Sequence, residues 1–232
     1  NGNIAVDLKK ARINKDRVYH ILAGGMPNFS RQSITSIALI LLNVVAAKYG
    51  DGVIAALTIS SRILALAYMI MIGWGQGFQP ICAMNYGAKQ YDRVKKAFKF
   101  AVIGGTLFLI IAAILLYVFS EPLIKTMSND NEVILVGAEI LRMQCITMPL
   151  LGYFAISSML MQNIGQYFWA SIISISRQGI FYIPLLYILS NIFGQFGIYL
   201  LQPVADVLSF GLAVIVVRKI KFANDKCKKD GI

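Results

Sequence analysis

Residues 98–119 read Phe98-Lys99-Phe100-Ala101-Val102-Ile103-Gly104-Gly105-Thr106-Leu107-Phe108-Leu109-Ile110-Ile111-Ala112-Ala113-Ile114-Leu115-Leu116-Tyr117-Val118-Phe119. One charge stands in this run, Lys99 at its start, and Ser120-Glu121-Pro122 closes it. As an α-helix it measures about 33 Å, enough to cross a hydrocarbon core about 30 Å thick. A run this long with no polar face, in a chain with more apolar surface than one soluble core can hide, predicts a bilayer-spanning helix. An outer-membrane strand would alternate over about ten residues, and this run is twice as long and does not alternate. Composition agrees. Of 232 residues 57% are hydrophobic and 14% charged, against about 25% charged in ordinary soluble domains, and mean hydropathy is +0.66.

Five further runs of this kind flank it. They cover about residues 21–47, 53–83, 141–164, 167–189 and 197–217. Lys48-Tyr49-Gly50-Asp51-Gly52 separates the first two, and Gly165-Gln166 makes a tight turn between the fourth and fifth. The expected fold is all-α, a polytopic bundle of six transmembrane helices. Residues 1–20 form a basic arm, 21–217 the transmembrane lobe and 218–232 a basic tail. Residues 122–136 are expected as a loop with one short helix.

Charge placement sets the expected orientation. The arm, the loop between the second and third spans (with Lys99) and the tail hold 16 of the 22 basic residues. The opposite loops hold Lys48 and Lys125 beside Asp51, Glu121, Asp130 and Glu132. The positive-inside rule then puts both termini and the second-to-third loop in the cytoplasm. The net charge of +11 is thereby read as topology. Nucleic acid is not an expected partner, because the basic runs lack interleaved aromatics and are separated by spans. The arm has Ile4, Leu8, Ala11 and Ile13 among its cations, and lies on the inner membrane surface or forms a solvated linker.

Cys82, Cys145 and Cys227 are far apart, and His20 is the one histidine. No metal site, disulfide framework or cofactor is expected from them. An enzyme is not expected either. There is no carboxylate pair, His pair, Cys–His set or phosphate loop.

Ionisable residues inside a bilayer are costly and mark pathways or buried pairs. Four stand within the spans: Arg31, Arg62, Arg177 and Asp206. Sixteen residues separate Arg31 from Lys48, about 24 Å of helix, which leaves Arg31 inside the inner-leaflet region. Arg62 lies about 15 Å below Gly52 and Asp206 about 16 Å below Gln195. Asp206 is the one carboxylate well inside the membrane, so it is expected to pair with Arg62 or Arg177. Such a pair either couples transport to protons or holds helices together. Glu139 and Arg142 are expected as an i,i+3 pair at the outer interface. Phe29, Tyr68, Met69, Met71, Trp74, Tyr153, Phe154, Met159, Met161, Phe181 and Tyr182, with Gln32 and Thr35, are candidate cavity-lining residues, since aromatics and flexible Met suit cationic ligands.

Four stretches are less generic. They are Gly25-Met26-Pro27-Asn28-Phe29-Ser30-Arg31-Gln32-Ser33; Ala46-Ala47-Lys48-Tyr49-Gly50-Asp51; Gly75-Gln76-Gly77-Phe78-Gln79-Pro80 running on through Asn85-Tyr86-Gly87-Ala88-Lys89 to Tyr91-Asp92-Arg93-Val94; and Gln202-Pro203-Val204-Ala205-Asp206. In this order and spacing residues 20–220 resemble the C-terminal half of the multidrug and toxic compound extrusion (MATE) family of cation-coupled efflux transporters. The resemblance implies two six-helix lobes rocking around a central cavity, an H⁺ or Na⁺ antiporter that exports drugs and organic cations from the cell membrane of a bacterium. This chain would be the C-terminal lobe, with an absent N-terminal lobe as its partner and the arm as the end of the inter-lobe linker. The lack of an initial Met fits that expectation. A flippase of lipid-linked saccharides and a non-transporting membrane scaffold are the alternatives.

Gly75, Gly77 and Pro80 are expected to weaken and bend the second span. Gln76, Gln79 and Asn85 are expected to bond loop backbone or a neighbouring helix, with Gly87 completing the motif. Some branches of the family carry an acidic cation site on the first and fourth spans of this lobe. Thr35 and Ser36 are hydroxylic here, and the fourth span from Gln144 to Gln162 has no carboxylate. A sodium site of that kind is not expected in this lobe.

Overall fold

The computed structural model describes the backbone of residues 15–229, and side chains continuously from Gly24 to Lys219. Arm residues 1–14 and the side chains of His20 and Cys227 lie outside the described residues. Nine α-helices account for nearly all of the described chain: α1 (Lys15–Ala46), α2 (Asp51–Gly87), α3 (Tyr91–Val118), α4 (Ser120–Lys125), α5 (Asn131–Thr147), α6 (Leu150–Asn163), α7 (Tyr167–Ile175), α8 (Tyr182–Phe193) and α9 (Gln195–Lys229). A π-helical turn, Ser176–Ile180, joins α7 to α8. Five helical stretches are long and apolar enough to cross a membrane, and α5 with α6 makes a sixth when that bent pair is counted as one span.

The bundle wears its apolar side chains outward. Leu107, Ile110, Ile111, Ile114, Leu115 and Val118 on α3 are all exposed. Backbone groups inside hydrocarbon have no water to bond, and the helices satisfy them internally. The described chain is an all-α, multi-pass membrane bundle.

Two buried clusters share the inside. Met71, Phe78, Leu109, Leu141 and Ile156 tie α2, α3, α5 and α6 together. Leu42, Leu57, Leu186, Tyr199 and Leu201 tie α1, α2, α8 and α9 together. Polar bridges between helices are few and specific. The Ser60 hydroxyl donates to the Gly137 carbonyl at 3.0 Å, and the Trp74 Nε1–H to the Ala101 carbonyl at 3.0 Å.

The fourth crossing departs from the sequence reading. It begins at Asn131, ten residues before the expected start at 141, and breaks after Thr147 with a bend of 57°. The expected loop over residues 122–136 is therefore largely helical. Asp130 caps α5, its Oδ1 accepting from the Glu132 amide at 2.9 Å. Pro149 explains the break, because it brings no N–H for the ladder of the preceding helix and its ring crowds the turn before it. α2, in contrast, continues without interruption through Gly75, Gly77 and Pro80. The 57° break falls on α5–α6.

Candidate functional site

Asp206 is 3% exposed. Arg177 Nε donates to its Oδ1 at 2.6 Å, and Gln202 Nε2 donates to the same oxygen at 2.8 Å. The Thr147 hydroxyl donates to Oδ2 at 3.3 Å. Of the two partners the sequence left open, the structure brings Arg177 to Asp206, while Arg62 on α2 is exposed. The reason is rotational. Residue counting puts both arginines within a long side chain's reach of Asp206, but Arg177 stands in the π turn packed against α9, whereas the Arg62 side chain is exposed.

Local backbone makes that aim possible. In the π turn the Phe181 amide donates to the Ser176 carbonyl at 3.1 Å, an i→i−5 bond. The extra residue rotates the following side chains relative to a regular α-helix, and such turns recur at functional sites. Thr147 ends α5 at the 57° bend, so the break after it delivers its hydroxyl to the carboxylate. Gln202 stands one helical turn before Asp206, where its side chain shares a face with the carboxylate. The i,i+4 spacing of Gln202 and Asp206 was visible in the sequence. The role of Thr147 was not.

The guanidinium of Arg177 also lies over the Tyr68 ring, 5.4 Å from its centroid. Tyr68 stands between two cavities and lines both. One, of about 240 Å³, holds Thr35, Gln144, Arg177, Gln202 and Asp206 in its wall. The other, of about 330 Å³, is lined by Asn28, Arg31, Gln76, Gln79 and Phe154 among others. Replacing Tyr68 with Leu removes the cation–π contact and is expected to cost about 1 kcal/mol of stability. Tyr68→Phe keeps the ring and is expected to leave thermal stability in detergent unchanged. Equal losses in both variants would exclude the ring–guanidinium contact as the cause.

The remaining expected site residues divide cleanly. Thr35, Tyr68 and Phe154 line the cavities, as do Arg31, Gln76, Gln79 and Met159. Met71 and Met161 are instead fully packed in the core, 0% and 1% exposed. Tyr153 sits edge-on between Phe98 and Phe210, at centroid distances of 5.9 and 5.4 Å. Gln32 is exposed, its carbonyl accepting from the Ser36 hydroxyl one turn on. Gly75 is a close-approach glycine, since a Cβ there would stand 2.4 Å from Met159 Sδ, whereas a Cβ at Gly77 or Gly87 meets nothing. Gln76 and Gln79 face the cavity rather than loop backbone, and Asn85 bonds within its own helix, to the Ile81 carbonyl at 2.7 Å. Arg142 turns from Glu139 to Ser120 Oγ at 2.8 Å, with its guanidinium 6.0 Å from the Tyr117 ring centre. Among the described residues no group of three metal-ligating side chains occurs.

Comparison with known proteins adds the following. A family model described as MatE matches residues 27–188. The multidrug export protein MepA of Staphylococcus haemolyticus is 24% identical over 221 residues, which is 95% of this chain and 48% of that protein. A crystal structure of the Vibrio cholerae MATE transporter VcmN superposes with a TM-score of 0.84 at 20% identity, over 94% of this chain and 50% of that one. A MATE crystal structure in the bent conformation gives 0.87 at 19% identity, over 96% and 50%. The chain spans about half the length of the curated relatives it matches. The family match takes in the Gly75–Pro80 motif and the Arg177 turn, and the bundle that carries them has the fold of half a MATE transporter: this chain belongs to the MATE family.

Proposed function

We propose that this chain forms one lobe of an exporter that uses an H⁺ or Na⁺ gradient to move amphipathic or organic cationic compounds out of the cell by alternating access. Its partner is a second six-helix lobe, its solvent the cell membrane, and its basic arm, second-to-third loop and tail face the cytoplasm. In this reading it is a transporter and not an enzyme. The observation that supports it is the helical bundle itself, which has the fold of half a MATE transporter and carries two cavities among its helices. The names of its relatives, multidrug export proteins, support the same direction.

Asp206 is held by Arg177, Gln202 and Thr147 together. A carboxylate so fully occupied is suited to fixing α9 against α5 and the π turn. Its charge is matched by the guanidinium, so a transported proton or sodium ion would first have to displace Arg177. The lobe is thus read as the scaffold half of the cycle, with the ion-coupling acid outside this chain.

The test is ethidium accumulation in cells expressing the full-length protein that contains this chain. Accumulation is expected to rise to the level of empty-vector cells when a protonophore is added or when sodium is withdrawn. Accumulation that responds to neither treatment overturns gradient coupling.

A further inference from the structure

The cavity of about 330 Å³ between α1, α2 and α6 has a one-sided charge. Arg31 is partly buried in its wall, and no acidic residue lines it. Among the described residues no ion pair or side-chain hydrogen bond is recorded for the Arg31 guanidinium, and the side chains of Asn28, Gln76 and Gln79 in the same wall also have none. Asp206, the buried carboxylate on the far side of Tyr68, belongs to the neighbouring cavity and is engaged by Arg177. The two cavities therefore differ in kind. One contains a matched pair, the other a half-buried cation in a wall shared with the amide side chains of Asn28, Gln76 and Gln79, the first two of them exposed.

Arg31 lies about 24 Å from the turn at Lys48, within the thickness of a bilayer. A guanidinium held there without a counter-charge is costly, and the cost is relieved when an anion of matching shape arrives. The planar fork of Arg suits a carboxylate or phosphate, and amide N–H groups add neutral donors around it. The rest of the wall is apolar, with Ile72, Phe154 and Met159. That combination suits a charged head joined to a greasy body.

We propose that this cavity is a binding site for the anionic group, phosphate or carboxylate, of an amphipathic molecule, with Arg31 as its charge partner and Gln76, Gln79 and Asn28 as donors. The proposal does not depend on ion coupling or on export. It says that the lobe selects at this point for negative charge, whatever the charge elsewhere on the molecule.

The test is equilibrium binding of radiolabelled dodecyl phosphate to the full-length protein that contains this chain, purified in an uncharged maltoside detergent. Saturable binding is expected. Arg31→Gln is expected to weaken it about tenfold, the effect of losing one charge-assisted contact. Arg31→Lys retains the charge and is expected to recover most of the loss. Arg62→Gln, which removes another intramembrane arginine, is expected to bind as the parent does. Competition by inorganic phosphate alone identifies a free anion as the ligand. Competition only by phosphatidylglycerol, presented in nanodiscs against a phosphatidylcholine control, identifies a lipid headgroup. Equal binding by the parent and Arg31→Gln, equal losses in Arg31→Gln and Arg62→Gln, or displacement by dodecyltrimethylammonium each overturns the site. Should Arg31→Gln fail to fold, the Gln76→Leu/Gln79→Leu double variant decides, and unchanged affinity in it overturns the site. Binding is read without a gradient, so a failure of the export reading leaves this result independent.

Discussion

Asp206→Leu is expected to lower the stability of the lobe by about 3–5 kcal/mol, the usual cost of removing one partner of a buried ion pair. The loss is not the value of the Arg177–Asp206 contact itself. It is the penalty for leaving the guanidinium of Arg177 inside the bundle with no carboxylate within reach, while Gln202 and Thr147 lose their acceptor at the same time. The Arg177→Met/Asp206→Leu double variant removes both charges and is expected to recover most of that stability, because apolar replacement of a whole buried pair is often neutral. Unfolding of the full-length protein by sodium dodecyl sulfate in mixed micelles measures both, and a double-mutant cycle isolates the coupling. A double variant as unstable as the single one would show that Asp206 stabilises the lobe through Gln202 and Thr147 rather than through Arg177. Export separates structure from coupling. If the double variant is stable and still drives ethidium efflux, Asp206 serves as a brace. Efflux lost in a stable double variant would place the coupling acid here and sink the scaffold reading.

The second large effect is expected at Gly197, at the start of α9. A Cβ there would stand 2.0 Å from the Leu189 carbonyl oxygen and 2.5 Å from its carbon. These are backbone atoms of α8, so no rotamer change relieves the clash. Gly197→Ala is expected to cost about 3 kcal/mol, the upper part of the usual range for overpacking. The effect travels, because the turn at Gly194, with φ +58°, and the close approach at Gly197 together set how α9 leaves α8. Asp206 lies further along that same helix. Gly197→Ala is therefore expected to lower stability and also to shrink the coupling energy between Arg177 and Asp206 in the same double-mutant cycle. Gly77→Ala serves as the control, since a Cβ there meets nothing, and its stability is expected to stay within about 0.5 kcal/mol of the parent. Equal losses at the two glycines would mean that the α8–α9 approach is not the tight point described.

Much of the architecture was legible in the sequence because lipid imposes a coarse rule. Any long apolar run must become a helix, so all but the last residue of 98–119 lies within α3, and 53–83 lies within α2. The turns at Gly50 and Gly165 were legible for a related reason, as both have positive φ, +102° and +79°, which glycine adopts without strain. The 57° break was harder to read. Pro149 was in plain sight, but prolines are common in membrane helices and often leave them continuous, as Pro80 does in α2. Whether a proline breaks a helix depends on what packs around it.

The site divides in the same way. Asp206 stood out from sequence because hydrocarbon makes any buried carboxylate conspicuous. Its partner did not, because counting residues puts both Arg62 and Arg177 within a long side chain's reach of it and says nothing of which way each one faces. Met71 and Tyr68 show the limit most plainly. They stand three residues apart on one helix, yet Met71 fills the core against α3 while Tyr68 separates two cavities. Composition cannot tell a cavity wall from a packed interior, because Met and Tyr serve both.

By itself, then, the sequence determined the solvent and the all-α bundle, and its motif residues pointed to the family that comparison established. These follow from length, hydropathy and the order of a few unusual residues. The tertiary structure decided which arginine meets Asp206, which one is left in a cavity without an acid, and where the bundle bends. Those are matters of rotation about helix axes, and a rotation is fixed only when every neighbouring helix has been packed.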